Sequence, residues 1–117
     1  MTLQSEPGDD GVTIVRMDGR LDLLIAAEVK QQLAELIASG HRRLIFDLDR
    51  VSVVDSSGLG ALISGLKAAR QAGGDLRIAR ANNQVRTLLS LTMLERVLRP
   101  YETLEEARAG YSQIVAD

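Results

Sequence analysis

Three hydrogen-bonding side chains stand together at Asp55-Ser56-Ser57, and glycines follow at once in Gly58-Leu59-Gly60. Two hydroxyls beside a carboxylate invite two kinds of chemistry: nucleophilic catalysis or a phosphate cradle. A catalytic serine needs a base, and His41 is the only histidine in the chain. It stands just before an apolar run that reads as a strand, at the end away from Ser56, and is read as a solvated loop residue. No G-x-S-x-G elbow is present, since Val54-Asp55 precede Ser56, which argues against a serine hydrolase. Gly58-Leu59-Gly60 begins like a dinucleotide fingerprint, but the third glycine falls at Gly65, and Ile63 stands where that motif needs it. Asp22, Asp47, Asp49 and Asp55 form no dense run of oxygen ligands, so they are read as solvated loop carboxylates and no metal is expected. A plainer role fits the same residues. Asp55, Ser56 and Ser57 are all residue types that cap a helix, a contribution of ~1 kcal/mol.

The residues that follow predict that helix. Leu59, Leu62, Ile63, Leu66 and Ala69 recur at helical spacing and form an inner face. The other face reads Ser57, Gly60, Ala61, Ser64 and Ala68, where Glu, Lys or Arg would give a better helix and a more soluble surface. Gly60 and Gly65 each cost roughly 1 kcal/mol relative to Ala in a helix interior. Capping does not account for such a face; a docked partner does.

The elements that must position this run are legible in order. Thr2 to Glu6 predicts a short edge strand, turned by Pro7-Gly8-Asp9-Asp10-Gly11 into Val12-Thr13-Ile14-Val15-Arg16-Met17, a β-branched strand. Gly19 breaks it, and Arg20-Leu21-Asp22 leads into a helix from near Leu24 to Ser39, with Ala26, Val29, Leu33, Leu36 and Ile37 inward and Gly40 as its stop. Arg43 to Leu48 predicts a central strand, joined to the first by a parallel crossover, and Asp49 to Val54 a loop that delivers the chain to Asp55. The second helix spans about Ser57 to Ala72 and stops at Gly73-Gly74. Asp75 to Ala79 is read as a strand of alternating character. Asn82-Asn83 open a short helix with Val85, Leu88 and Leu89 inward, and Val97-Leu98 is read as a last strand closed by Pro100. Thr103 and Glu106 form a capping box for a C-terminal helix whose inner face is Leu104, Ala107, Tyr111 and Ile114. The fold class is α/β: a single domain over 1–117, with a mixed sheet of four to five strands and about four helices packed against it.

Composition narrows the partners. The 117 residues suit one core. Aromatic residues make up only 3%, with no tryptophan, and the net charge is -2, so nucleic acid is an unlikely fit by stacking or by phosphate attraction. Without cysteine there is neither a disulfide nor a thiolate metal site. The polar, acidic stretch Met1 to Asp10 lacks the pattern of a secretory signal, and no apolar run approaches the ~20 residues of a membrane span. A cytoplasmic location without membrane insertion is expected.

Asp55-Ser56-Ser57-Gly58-Leu59-Gly60, with Gly19-Arg20-Leu21-Asp22 upstream, resembles the bacterial anti-sigma-factor antagonists of the STAS family, and the order of elements matches over nearly the whole chain. The resemblance implies that Ser56, the serine directly after the aspartate, is phosphorylated by an anti-sigma factor that is itself a serine kinase. It implies an unphosphorylated form that binds that kinase and releases a sigma factor, and a phosphatase that resets it. The chain is then a substrate and regulator rather than an enzyme, with no cofactor of its own. Asp22, Asp55, Ser57, Gly58, Leu59, Gly60, Ala61 and Ser64 are the expected partner-binding residues. The alternative within the family is an accessory subunit of a lipid or anion transport system. The chain departs from the family pattern at Leu23-Leu24-Ile25, where polar residues are usual. Partial burial of this trio is expected; exposed, it would add contacts to a partner or to a weak homodimer.

Overall fold

The computed structural model describes residues 2–115, with side chains as far as Tyr111. Pro7 to Gly11 turn the chain between β1 (Gln4–Pro7) and β2 (Val12–Arg16), which pair antiparallel with Gln4 opposite Arg16. A crossover through α1 (Ala26–Ala38) brings β4 (Arg43–Asp47) parallel to β2, and a second crossover through α2 (Ser56–Gln71) sets β6 (Asp75–Ala79) parallel to β4. The main sheet is thus mixed, in the order β1-β2-β4-β6.

Both faces of the sheet are covered, which is why its central strands are almost continuously apolar. On one face Val15, Leu44, Phe46, Leu76 and Ile78 pack with Val29 and Leu33 of α1 and with Leu62 and Leu66 of α2. On the other, Val12, Ile14, Ile45 and Ala79 pack with Ala107 and Tyr111 of α5 (Leu104–Val115). The two faces meet β6 alternately, so the alternating character expected of it is replaced by burial throughout Leu76 to Ala79. Arg77 lies wholly inside, its guanidinium 4.2 Å from the Tyr111 ring centroid and its Nε 3.4 Å from Asp75.

Three stretches differ from the sequence reading. Gly19 does not break the chain into a helix approach. Gly19–Leu21 is strand β3, and Val51–Val54, expected as loop, is strand β5; the two pair parallel as a separate two-stranded sheet. The continuations of β2 and β4 run on side by side beyond the main sheet, too briefly for an alternating pattern to register. Val97-Leu98 is not a strand. It belongs to a single helical turn, α4 (Glu95–Leu98), with Leu98 buried and Val97 packed on the core; Arg99, at φ 49°, ends it. The sheet contact expected there falls beyond Pro100, where Tyr101 bridges Ala79.

The remaining helix, α3 (Asn83–Leu91), buries Val85 and Leu89, with Leu88 partly covered. Thr103 Oγ accepts the Glu106 N–H at 3.1 Å, which is half of the expected capping box; the described hydrogen bonds do not include the return bond from Glu106. Leu104, Ala107 and Tyr111 face the sheet, whereas the Ile114 side chain lies outside the described residues. Among the described residues no helix is long and apolar enough to cross a membrane.

Candidate phosphoacceptor and docking site

The site forms where β3 and β5 end together. Asp55 follows β5 in an extended conformation, and its N–H donates to the Leu21 carbonyl at 3.3 Å, closing the two-stranded ladder. Its carboxylate then works in two directions. Oδ1 accepts the Gly58 N–H at 2.8 Å and caps α2, while Oδ2 accepts the Leu23 N–H at 3.0 Å from the loop before α1. The Gly58 N–H, followed by those of Leu23 and Ser57, holds this carboxyl below the usual carboxylate range.

Asp22 anchors the other side of the same loop. Its Oδ1 accepts the Leu24 N–H at 3.0 Å, and its carbonyl accepts the N–H groups of Ile25 and Ala26. Consecutive amides, Leu23 and Leu24, therefore bind Asp55 and Asp22 respectively. The spacing in the chain alone gave no reason for the two aspartates to meet; β3 beside β5 is the reason they do.

Ser56 is the first residue of α2 and is exposed; its hydroxyl makes no hydrogen bond among the described residues. Ser57 and Ser64 are half-buried and Gly60 is exposed, so these four share the accessible side of the helix. Gly58, Leu59 and Ala61 do not. All three are buried, beneath the accessible side rather than on it. Leu59 and Ala61 belong to the core under α2, and Gly58 is there because a Cβ would sit 2.0 Å from the Leu21 carbonyl oxygen. Gly65 likewise faces inward: a Cβ would lie 2.7 Å from Leu33 Cδ1, so its partner is α1 of the same chain. Of the three glycines of α2 only Gly60 has open space above it.

Sequence reasoning missed the third support. Val54 points its N–H and C=O away from β3, toward α3. The Gln84 side-chain amide meets both, accepting from the N–H at 3.0 Å and donating to the carbonyl at 2.8 Å. Asn82 adds a bond from Nδ2 to the Ser52 carbonyl at 3.0 Å while its Oδ1 caps α3. Two amide side chains thus stand in for a neighbouring strand on the free edge of β5. Asn82 was legible as a helix start; nothing marks Gln84, a polar residue in a first turn.

The other candidates lie elsewhere. His41 Nδ1 is 3.1 Å from Thr13 Oγ, at the beginning of β2 and β4, remote from the end where Ser56 stands. Asp47 is 2% exposed and is held by Arg80 Nε at 3.0 Å and Arg16 Nε at 3.1 Å. Burial opposes its ionisation, but the Arg80 guanidinium prevails and its carboxyl stays below the usual range. Among the described residues no three carboxylate or imidazole groups stand close enough to hold a metal ion. The accessible chemistry at this end of the molecule is a free hydroxyl on a rigid backbone.

Comparison with known proteins places this architecture. The anti-sigma F factor antagonist of Paenibacillus polymyxa is 31% identical over 93 residues, covering 79% of this chain and 80% of that one. A Thermotoga maritima relative is 33% identical over 73 residues, covering 62% of this chain, and the match spans 65% of that relative's length. A crystal structure from T. maritima superposes with a TM-score of 0.86 at 28% identity, covering 92% of each chain. Residues 5–107 match the STAS domain model, and the chain belongs to the STAS domain family.

Proposed function

We propose that this chain is an anti-sigma-factor antagonist whose unphosphorylated form binds an anti-sigma-factor kinase, freeing a sigma factor, and which phosphorylation of Ser56 switches off. The observation that carries the reading is the exposed hydroxyl of Ser56 on a backbone fixed from both sides by Asp55. The P. polymyxa relative supports the general role, being named an anti-sigma F factor antagonist. In the transfer, Ser56 Oγ bonds to the γ-phosphorus of the kinase's ATP, the bond to the β-phosphate oxygen breaks, and ADP leaves. The hydroxyl proton goes to a base of the kinase, and a phosphatase later hydrolyses the ester.

The accessible docking surface is Ser57, Gly60 and Ser64 with the Asp22–Asp55 loop beside them; Gly58, Leu59 and Ala61 shape it from beneath. A phosphoserine adds about -1.5 to -2 charges at neutral pH. At the N-terminus of α2 the helix dipole favours that charge by ~0.3–1 kcal/mol, and Asp55 beside it opposes part of the gain. A partner packed over Gly60 must desolvate the phosphate or repel it, a cost on the order of several kcal/mol. The modification therefore acts on binding rather than on folding.

The test is phosphorylation by the kinase followed by mapping of the modified residue, with calorimetric binding of variants. Ser56→Ala is expected to bind the kinase with or without ATP, and Ser56→Asp about a hundredfold more weakly than the parent. Both variants binding as the parent does would place the switch elsewhere.

A further inference from the structure

Leu23 and Leu24 are 72% and 90% exposed, while their neighbour Ile25 packs against the core. Exposed leucines on a mobile loop would mean little, but this loop is not free to move. Leu23 N–H is bound by Asp55, Leu24 N–H by Asp22, and the next two amides by the Asp22 carbonyl. Four consecutive backbone bonds thus fix two apolar side chains pointing outward. Beside them runs a groove of about 550 Å³ whose lining is mixed, with Met17, Leu24 and Ile25 among polar residues that include Gln4, Arg20 and Asp22.

We infer that Leu23, Leu24 and this groove are the apolar anchor of the interface with the anti-sigma factor, taking an apolar side chain of that partner into the groove while Leu24 enters a pocket on it. The inference rests on the reading of Ser56 above and extends the same surface. Continuity identifies the occupant: the carboxylate that receives Leu23 N–H also caps the helix that starts at Ser56. Area points the same way. Two leucines are a small part of the ~800 Å² per partner that a stable interface buries, so the pair needs the neighbouring α2 surface to form one. A loop whose backbone amides are already hydrogen-bonded loses little backbone freedom on binding. The pair also divides the work of the site, with Leu23 and Leu24 supplying affinity and Ser56 supplying control.

The experiment titrates the purified anti-sigma kinase that phosphorylates Ser56 against the parent, Leu24→Ser, Leu23→Ser/Leu24→Ser and Ser56→Asp. The loop's hydrogen bonds use backbone amides, so the serine variants keep them, and an unchanged thermal midpoint verifies the fold. Burial of one leucine corresponds to roughly tenfold or more in affinity, so Leu24→Ser is expected to weaken binding about tenfold and the double variant about a hundredfold. Parental affinity in the double variant, with Ser56→Asp still weakened, overturns the anchor and leaves the switch standing. Parental affinity in Ser56→Asp as well removes the reading beneath it. Sedimentation adds the competing occupant: a parent dimer that the double variant abolishes, with kinase affinity unchanged, assigns the leucines to a second copy and overturns the proposal.

Discussion

Gly58→Ala and Gly60→Ala differ by two positions and should move stability in opposite directions. A methyl at residue 58 lies 2.0 Å from the Leu21 carbonyl oxygen and 2.8 Å from Leu21 Cγ, whereas one at residue 60 meets nothing within 4 Å. The first obstacle is backbone and cannot turn aside. Ordinary contact begins near 3.4 Å, so the start of α2 and the end of β3 must part by about 1.4 Å. That separation strains the bond from Asp55 N–H to the same Leu21 oxygen. Overpacking costs about 1–3 kcal/mol and one lost backbone bond about 1 kcal/mol more, against about 0.5–1 kcal/mol gained in helix propensity. The net expectation is a loss of about 2–3 kcal/mol for Gly58→Ala, or roughly 10 °C in thermal midpoint, and a gain of about 0.5–1 kcal/mol for Gly60→Ala. Urea unfolding followed by far-UV circular dichroism measures both, with parallel slopes required for comparison. Gly60→Ala, though more stable, should bind the anti-sigma kinase more weakly, because its methyl occupies the docking face. A Gly58→Ala protein with the parent's midpoint would refute the close approach of α2 to β3, and with it the placement of Ser56.

Two other sites give independent expectations. Gln84→Ala leaves the Val54 N–H and C=O to water, costing about 1 kcal/mol, and hydrogen exchange should accelerate at Val54 while Leu62, in the middle of α2, keeps its protection. Asp47 has a folded pKa below its unfolded one, so within that interval the unfolded chain binds more protons and stability rises with pH. Its contribution is complete above the ordinary carboxylate range and disappears as pH falls through the folded pKa. Asp47→Asn should cost about 1–3 kcal/mol at pH 7 and flatten the acid limb of the stability curve, measured by urea midpoints at a series of pH values.

The parts legible in the sequence are those in which hydrophobic period and punctuation agree. Val12 to Arg16, the helix ending before Gly40, and the Leu59-Leu62-Leu66 stripe ending before Gly73 fall where composition puts them. The strands Gly19–Leu21 and Val51–Val54 were illegible because three or four residues carry no period, and their pairing depends on two distant segments. Ala61 was assigned to the outer face because a small side chain offers no hydrophobic contrast, and the reason for Gly65 was hidden because the Leu33 methyl that fills its space comes from another helix. Val97-Leu98 has β-forming composition, yet Leu94 and Leu98 one turn apart are what the core engages. Ser56 was found from its neighbours. Gln84, which holds the strand that delivers it, looks like any solvated residue until Val54 is placed beside it.

These supports determine how a phosphate at Ser56 can act. The chain just before the acceptor is tied to β3 through Leu21 and to the α1 loop through Leu23, both at Asp55, and to α3 through Gln84 at Val54, two residues upstream of Ser56. A switch that worked by refolding would need these ties to yield together; those to Leu23 and Gln84 are 3.0 Å each, and the longer one to Leu21, at 3.3 Å, is flanked by both. A phosphate on Ser56, as proposed, would instead emerge from an exposed side chain that nothing in the described residues engages, so its charge would enter solvent. Ser56→Asp should therefore leave the thermal midpoint within about 2 °C of the parent's, the scale of ~0.5 kcal/mol typical of surface substitutions. A larger shift, or altered amide exchange at Leu23 and Val54, would mean that the fold itself reads the charge. The separation between a phosphate-indifferent domain and a phosphate-sensitive interface would then fail.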